Sequence, residues 1–265
     1  MPAAQVIVTR PVREAATWVQ ALRQQGFDAQ ALPLIDIQSL PHQPELLAAW
    51  GYIERYHAVM FVSANAVAGF FEALEIIHGD DAKKIAFSQR CWATGPGTTR
   101  ALLQARVPVA QIDAPATDAP TLDSEALWQR VHPQIQGGER VLIVRGTDAQ
   151  HSAAVGVGRD WLTQQLLAAG AEVETVVSYE RRCPVWSEAQ SAQVRAAMPH
   201  SVWVLSSSEA IRNLQNLLPD QSLGLARAVA THPRIAQMAE KAGFGVVITS
   251  HPAIDEVARS IKSLT

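Results

Sequence analysis

The sequence predicts an α/β protein built from two similar parallel-sheet lobes. Three observations carry that prediction. Short β-rich runs alternate with helical patterns, which argues for a parallel sheet covered by helices. The same strand-to-helix junctions recur in the same order in the second half of the chain. The strand ends pass into small, hydroxylated or glycine residues of the kind that open helices.

Val6-Ile7-Val8 reads as a buried strand. It ends at Thr9-Arg10-Pro11, where proline suits the first turn of a helix. The spacing of Trp18, Val19 and Leu22 predicts a helix from about Arg13 to Gln25, with Gly26 as the residue just past its end. Phe27 to Leu34 returns as a strand. Ala58 to Val62 is the next buried strand, followed by Ser63-Ala64-Asn65 and a helix through Phe70, Phe71 and Leu74. Cys91-Trp92-Ala93 leads through Thr94-Gly95-Pro96-Gly97-Thr98 into a helix from Thr99 to about Ala105. A low-charge segment with Pro115, Pro120 and Pro133 holds a helix near Ser124 to Val131, capped by Asp123 or Ser124.

The order then repeats. Val141 to Val144 leads into Arg145-Gly146, a helix runs from Asp160 to Ala169-Gly170, and Ala171 to Val177 returns as a strand. Ser201 to Leu205 leads into Ser206-Ser207-Ser208 and a helix through Ile211, Leu214 and Leu217. Ala228-Val229-Ala230 leads into Thr231-His232-Pro233 and a helix ending at Gly243. Arg10 corresponds to Arg145, Ser63 to Ser206 and Thr94 to Thr231, so the two rounds imply internal duplication. Two boundaries fit. One lies near Gly137-Gly138, before the second round; in the other, each round's first unit crosses to the opposite lobe. The proline-flanked extended stretches at 33–41 and 178–184 are candidate hinge strands, and a cleft between lobes is the default ligand site.

Composition narrows the function. With 265 residues, 48% hydrophobic and 18% charged, the chain has apolar material for real cores. No run approaches the ~20 apolar residues of a membrane span. Met1 to Arg10 has no basic stretch leading into an apolar run, so no secretory signal is expected and the expected location is cytoplasmic. A net charge of −3 argues against a general nucleic-acid binder. Two cysteines cannot form a disulfide framework or a zinc site alone; Cys91 reads as core, and Cys183 has no nearby histidine to activate it. The histidines show no zinc-type pair spaced four apart around a glutamate, so no metal site is expected. Gly95-Pro96-Gly97-Thr98-Thr99 lacks the lysine of a phosphate loop, and Arg100 stands where a dinucleotide fingerprint needs glycine.

In open parallel sheets, ligands bind beyond the carboxyl ends of the strands. The residues there are Thr9-Arg10, Ser63, Thr94 to Thr99, Arg145-Gly146, Ser206 to Ser208 and Thr231-His232. Each opens a helix, where free N–H groups and the helix dipole favour an anion. Plain capping explains any single serine or threonine; six such junctions together favour an anion site. Tyr179 follows a strand in a hinge candidate beside Glu180-Arg181-Arg182. A phenol there is a poor base but an adequate acid toward a good leaving group, and ordinary packing is the alternative.

An ordered set of short motifs spans nearly the whole chain: Val-Thr-Arg-Pro (8–11), Leu-Pro-Leu (32–34), Phe-Val-Ser-Ala-Asn-Ala-Val (61–67), Gly-Pro-Gly-Thr-Thr (95–99), Asp-Ser-Glu-Ala-Leu (123–127), Leu-Ile-Val-Arg-Gly (142–146), Tyr-Glu-Arg (179–181), Ser-Ser-Glu-Ala (207–210) and Thr-His-Pro-Arg-Ile-Ala (231–236). Together they resemble the uroporphyrinogen-III synthase family. The resemblance implies two flavodoxin- or Rossmann-like lobes joined by a two-stranded β linker. One lobe would hold residues 1–36 plus 181–265 and the other 40–175, with linker strands near 33–41 and 176–184. It also implies a cyclising lyase of haem biosynthesis. Its substrate would be hydroxymethylbilane, a linear tetrapyrrole, closed with loss of water and inversion of ring D, with no cofactor and no metal. By the same resemblance Tyr179 would be the proton donor. Thr9, Arg10, Ser63, Thr94, Gly95, Thr98, Arg145, Ser206, Ser207 and Thr231 would meet the substrate, mainly its acetate and propionate groups. Arg10 and Arg145 could equally serve structural pairs. The stretch Thr147 to Val157 looks longer than the family's usual turn, and Val62 stands where many relatives carry threonine. A monomer with a small-molecule substrate and neither nucleic acid nor membrane as partner is expected. The rival reading is a two-lobed cytoplasmic binding or sensor protein for an anionic small molecule.

Overall fold

The computed structural model describes residues 4–85, 87–116, 124–148 and 160–264. Asp123, and the expected long stretch beyond Asp148, lie outside the described residues. The chain opens with β1 (Gln5–Val8), α1 (Val12–Gln24) and β2 (Ala29–Ala31). Next come β3 (Asp36–Ser39), α2 (Pro44–Gly51), β4 (Ala58–Phe61), α3 (Ala64–His78), β5 (Arg90–Ala93), α4 (Pro96–Gln104) and β6 (Ile112–Asp113). Then follow α5 (Ser124–Val131), β7 (Arg140–Asp148), α6 (Asp160–Ala168), β8 (Glu172–Arg182) and α7 (Glu188–Ala197). The last elements are β9 (Ser201–Leu205), α8 (Ser208–Leu217), β10 (Arg227–Ala230), α9 (Pro233–Lys241), β11 (Val246–Thr249) and α10 (Ile254–Lys262).

These elements form two compact units, Met1–Asp36 with Arg182–Thr265, and Ile37–Arg181. The first carries a sheet in the order β11-β10-β9-β1-β2, parallel throughout. Counted along the chain, that is the 2-1-3-4-5 order of flavodoxin-like sheets. The second carries β3-β8-β7-β4-β5-β6, parallel from β8 to β6. Leaving β3 aside, both sheets have one arrangement, with β7 in the place of β1, β8 of β2, and β4, β5 and β6 of β9, β10 and β11. The second sheet receives its first two strands last in the chain. β3 and β8, where the chain passes between units, are paired neighbours.

Strand alternation sorts the second unit's core into two faces. Val59 and Phe61 of β4, Cys91 of β5, and Leu142 and Val144 of β7 join one cluster with Trp50 and Phe70. Ala58, Met60, Trp92, Val141 and Ile143 join the other, against Leu127 and Leu162. The same rule in the first unit turns Val6, Val8, Val202, Val204 and Val229 toward α1 and α10.

Three expectations are corrected, and two elements are added. The strand expected over 27–34 spans only Ala29–Ala31; Leu32 and Leu34 still donate to the Val8 and Thr9 carbonyls, but the regular register with β1 ends at Ala31. The strand expected to end at Val177 runs on to Arg182, since its neighbour β7 continues alongside to Asp148. The helix expected from Thr99 begins at Pro96, since a proline's missing N–H is spare in a first turn. A further strand and helix, β11 and α10, follow Gly243.

Candidate functional site

The switch point of the second sheet lies between β7 and β4, and two expected residues meet there. β4 ends at Phe61, and Ser63 caps α3, its Oγ accepting the Ala66 N–H at 3.1 Å. The same Oγ donates to Tyr179 Oη at 3.1 Å. Tyr179 lies on β8 opposite Gly146 of β7 and is 5% exposed. Between Arg145 and Gly146 the register slips: Arg145 faces Val177 but Gly146 faces Tyr179, so Ser178 is an extra residue in β8. Ser178 Oγ donates to the Ala66 carbonyl at 3.1 Å, tying β8 to the first turn of α3.

The other expected residues of this sheet lie at the β5–α4 junction and, for Arg145, inside β7, which runs on to Asp148 instead of ending at Val144 and opening a helix. Thr94 Oγ1 donates to the Val62 carbonyl at 3.1 Å. Gly95 is the N-cap of α4, its carbonyl accepting the Thr99 N–H at 3.0 Å. Thr98 sits in the first turn of α4, 4% exposed. Arg145 is 8% exposed on β7.

In the first sheet the corresponding junctions belong to β1, β9 and β10. Ser207 caps α8, its Oγ accepting the Glu209 N–H at 3.1 Å, and Ser206 precedes it. Thr231 is 9% exposed and follows β10, with its N–H on the Leu205 carbonyl at 3.0 Å. A cavity of about 480 Å³ beside the α8 cap is lined by Ser207, Ser208, Arg212, Arg234 and Lys241, among others. Serine N–H groups and three cations, against the one carboxylate of Glu209, leave the cavity net positive and suited to a carboxylate.

Two expected binding residues are otherwise employed. Thr9 is 1% exposed and gives its hydroxyl to the Val204 carbonyl at 2.7 Å. It is a strut between β1 and β9, not a ligand group. Arg10 pairs with Glu14 at 2.8 Å and lies 4.3 Å over the Trp18 ring, so α1 holds its guanidinium. The sequence reading did not single out Ser178, Gly69 or the role of Gly146. A glycine closing Val-Leu-Ile-Val-Arg-Gly was the available signal, since glycine in a strand marks a bulge or a close approach.

Fold and site together define a duplicated, flavodoxin-like α/β protein with a tyrosine–serine hydroxyl pair at one switch point and helix N-termini beyond the strands of both sheets. The family model described as uroporphyrinogen-III synthase HemD matches residues 16–258. The chain belongs to the uroporphyrinogen-III synthase family. It is 29% identical over 251 residues to the uroporphyrinogen-III synthase of Escherichia coli, covering 90% of this chain and 92% of that one. It is 28% identical over 246 residues to that of Salmonella typhimurium, with the same coverage. The crystal structure of the Helicobacter pylori synthetase shares the fold at a TM-score of 0.66 and 14% identity, covering 99% of this chain and 100% of that one. A mutant Thermus thermophilus synthase matches at a TM-score of 0.55 and 14% identity, covering 98% of each.

Proposed function

We propose that the chain is a uroporphyrinogen-III synthase, a lyase of haem biosynthesis that cyclises hydroxymethylbilane with loss of water and inversion of ring D. The observation that carries this reading is family membership across residues 16–258, joined to a tyrosine hydroxyl at a sheet's switch point. Tyr179 is the proposed proton donor. The departing hydroxyl takes the C–O electron pair and the phenolic proton, and leaves as water. The pyrrole nitrogen's lone pair stabilises the cation that remains. Attack by the far end of the chain, through a spiro intermediate, releases one proton on rearomatisation, and that proton restores the phenol.

Thr94, Gly95, Thr98, Arg145, Ser206, Ser207 and Thr231 are the proposed contacts to the acetate and propionate groups. Helix N–H groups and hydroxyls fix carboxylates in place at modest charge, which suits a chain whose net charge is −3. The cations beside the α8 cap support the assignment of Ser207. Thr9, Arg10 and Ser63 are left out of the proposed set, Ser63 because its Oγ is engaged with Tyr179 and the Ala66 N–H. The proposed working form is a cytoplasmic monomer acting on a small molecule; no described helix is long and apolar enough to cross a membrane.

The test is to supply hydroxymethylbilane and separate the isomers of the product. Isomer III is expected; isomer I alone, at the uncatalysed rate, would falsify the proposal. Tyr179→Phe removes the proton but keeps the ring, and should lower kcat by about 100-fold, the low end of a general acid's usual contribution. Full activity in that variant removes Tyr179 from the role and leaves the reaction assignment standing.

A further inference from the structure

We infer that the β-bulge at Ser178, with Gly146 opposite it, is the device that aims Tyr179, and that Ser63 acts on that tyrosine rather than on a substrate carboxylate. This rests on the proposed role of Tyr179. In a regular strand, residues three apart face opposite sides of the sheet. Val176 and Tyr179 are three apart, yet both belong to the cluster on the α3 side of the sheet. The extra residue Ser178 makes the difference, since an inserted residue exchanges the faces of everything beyond it. Without it, the Tyr179 ring would point away from Ser63.

The bulge alone does not seat the ring. A Cβ at position 146 would overlap it, lying 2.6 and 2.7 Å from the two Cε atoms and closer still to Cζ. Only a residue without a side chain lets the ring lie across β7. Two further contacts set the distance to Ser63. Ser178 Oγ holds the Ala66 carbonyl, and a Cβ at Gly69 would overlap the Ser178 carbonyl oxygen. So α3 and β8 touch at backbone range, within two turns of the cap that carries Ser63.

The hydroxyl geometry gives Ser63 its task. Its Oγ accepts from Ala66 N–H and lies 3.1 Å from Tyr179 Oη, so its own proton is the one free to go to Oη when the phenol turns away. In the inferred arrangement Ser63 is the donor of this pair, which leaves the phenolic proton to be turned toward a leaving hydroxyl. A donor on Oη also stabilises the phenolate that proton transfer leaves behind. Ser63 and Gly146 are positioning residues; Tyr179 is the group that would touch the substrate.

The test is a set of steady-state measurements on the full chain with hydroxymethylbilane, each variant made in the wild-type and in the Tyr179→Phe background. Ser63→Ala is expected to lower kcat about tenfold, with KM changed less than about twofold, and Ser63→Thr, which keeps the hydroxyl, to restore most of the loss. In the Tyr179→Phe background, Ser63→Ala should have no further effect on kcat. Gly146→Ala should lower kcat as far as Tyr179→Phe does, again with no further loss in the double variant. A rise in KM of equal size in both backgrounds would make Ser63 a substrate contact and overturn the inference. So would wild-type kcat in Ser63→Ala, or in a folded Gly146→Ala. If Gly146→Ala does not fold, the Ser63 pair decides. Wild-type kcat in Tyr179→Phe alone defeats the proton-donor role, and is read before any of these.

Discussion

Cys91 and Cys183 show how strongly surroundings set the chemistry of one residue type. Cys91 is fully buried on β5, and burial pushes its thiol up to about 12 from the usual 9.0. Cys183 is exposed, follows β8, and is raised only by partial burial. A thiol reagent at neutral pH should label Cys183 and spare Cys91; mass spectrometry of the labelled peptides checks this. Linkage sets the sign of a pH effect. The unfolded Cys91 thiol ionises near 9.0 and the folded one near about 12. Its contribution to stability is whole below about 9 and is lost as pH rises from there toward 12. Tyr56, raised first by burial and then by its hydrogen bond to Glu174, acts in the same direction. Denaturant titrations across that range should show falling stability, with a shallower fall in Cys91→Ala. That Cys91 is core was legible from its apolar run. Asn213 was not. It donates to the Leu34 carbonyl at 2.7 Å across 179 residues, and no local pattern announces such a bond. Asn213→Leu should cost about 1–3 kcal/mol by orphaning that carbonyl.

Among the elements, those with strong periodicity were legible and those set by contact were not. α3 was readable from Phe70, Phe71 and Leu74, and β4 from an unbroken apolar run. Proline started α4 early, and pairing with β7 carried β8 on to Arg182. The bulge in β8 left no local trace, because Thr-Val-Val-Ser-Tyr-Glu reads as an ordinary strand. Half of the candidate site was thus visible as residue types, while the geometry that joins Ser63 to Tyr179 was not. Gly69 is a case where local preference and packing disagree. Alanine there would favour the helix by about 1 kcal/mol. Its Cβ, however, would overlap the Ser178 carbonyl oxygen, and backbone cannot step aside as a flexible side chain can. Gly69→Ala should therefore destabilise by about 1–3 kcal/mol net, read as a lower denaturant midpoint. An unchanged or raised midpoint would mean that α3 can lift from β8 at no cost.

At the scale of the whole molecule, duplication was legible and its partition between sheets was not. Each round opens with a Val/Ile-rich strand that fits beside the last three strands of either round, so periodicity alone allows both pairings. In the structure β1 pairs with β9 and β7 with β4, so each round lends its first two strands to the other round's sheet. The consequence for folding is unequal. Residues 37–181 hold the second sheet in one continuous stretch, short only of Asp36 at the start of β3 and Arg182 at the end of β8. A chain of that length buries roughly 68–70% of its unfolded surface, enough for a domain to stand alone. Residues 182–265 keep β9, β10 and β11 but lose β1 and β2, which exposes the edge of β9 and uncovers the core face that α1 packs on. Expressed separately, 37–181 should unfold in one cooperative transition by circular dichroism. The 182–265 fragment should show none and should aggregate through its bare strand edge. Adding residues 1–36 in trans should restore a transition to it, because β1 supplies the missing neighbour. A cooperative 182–265 fragment on its own would mean that β1 and β2 are accessories to that sheet rather than part of its core.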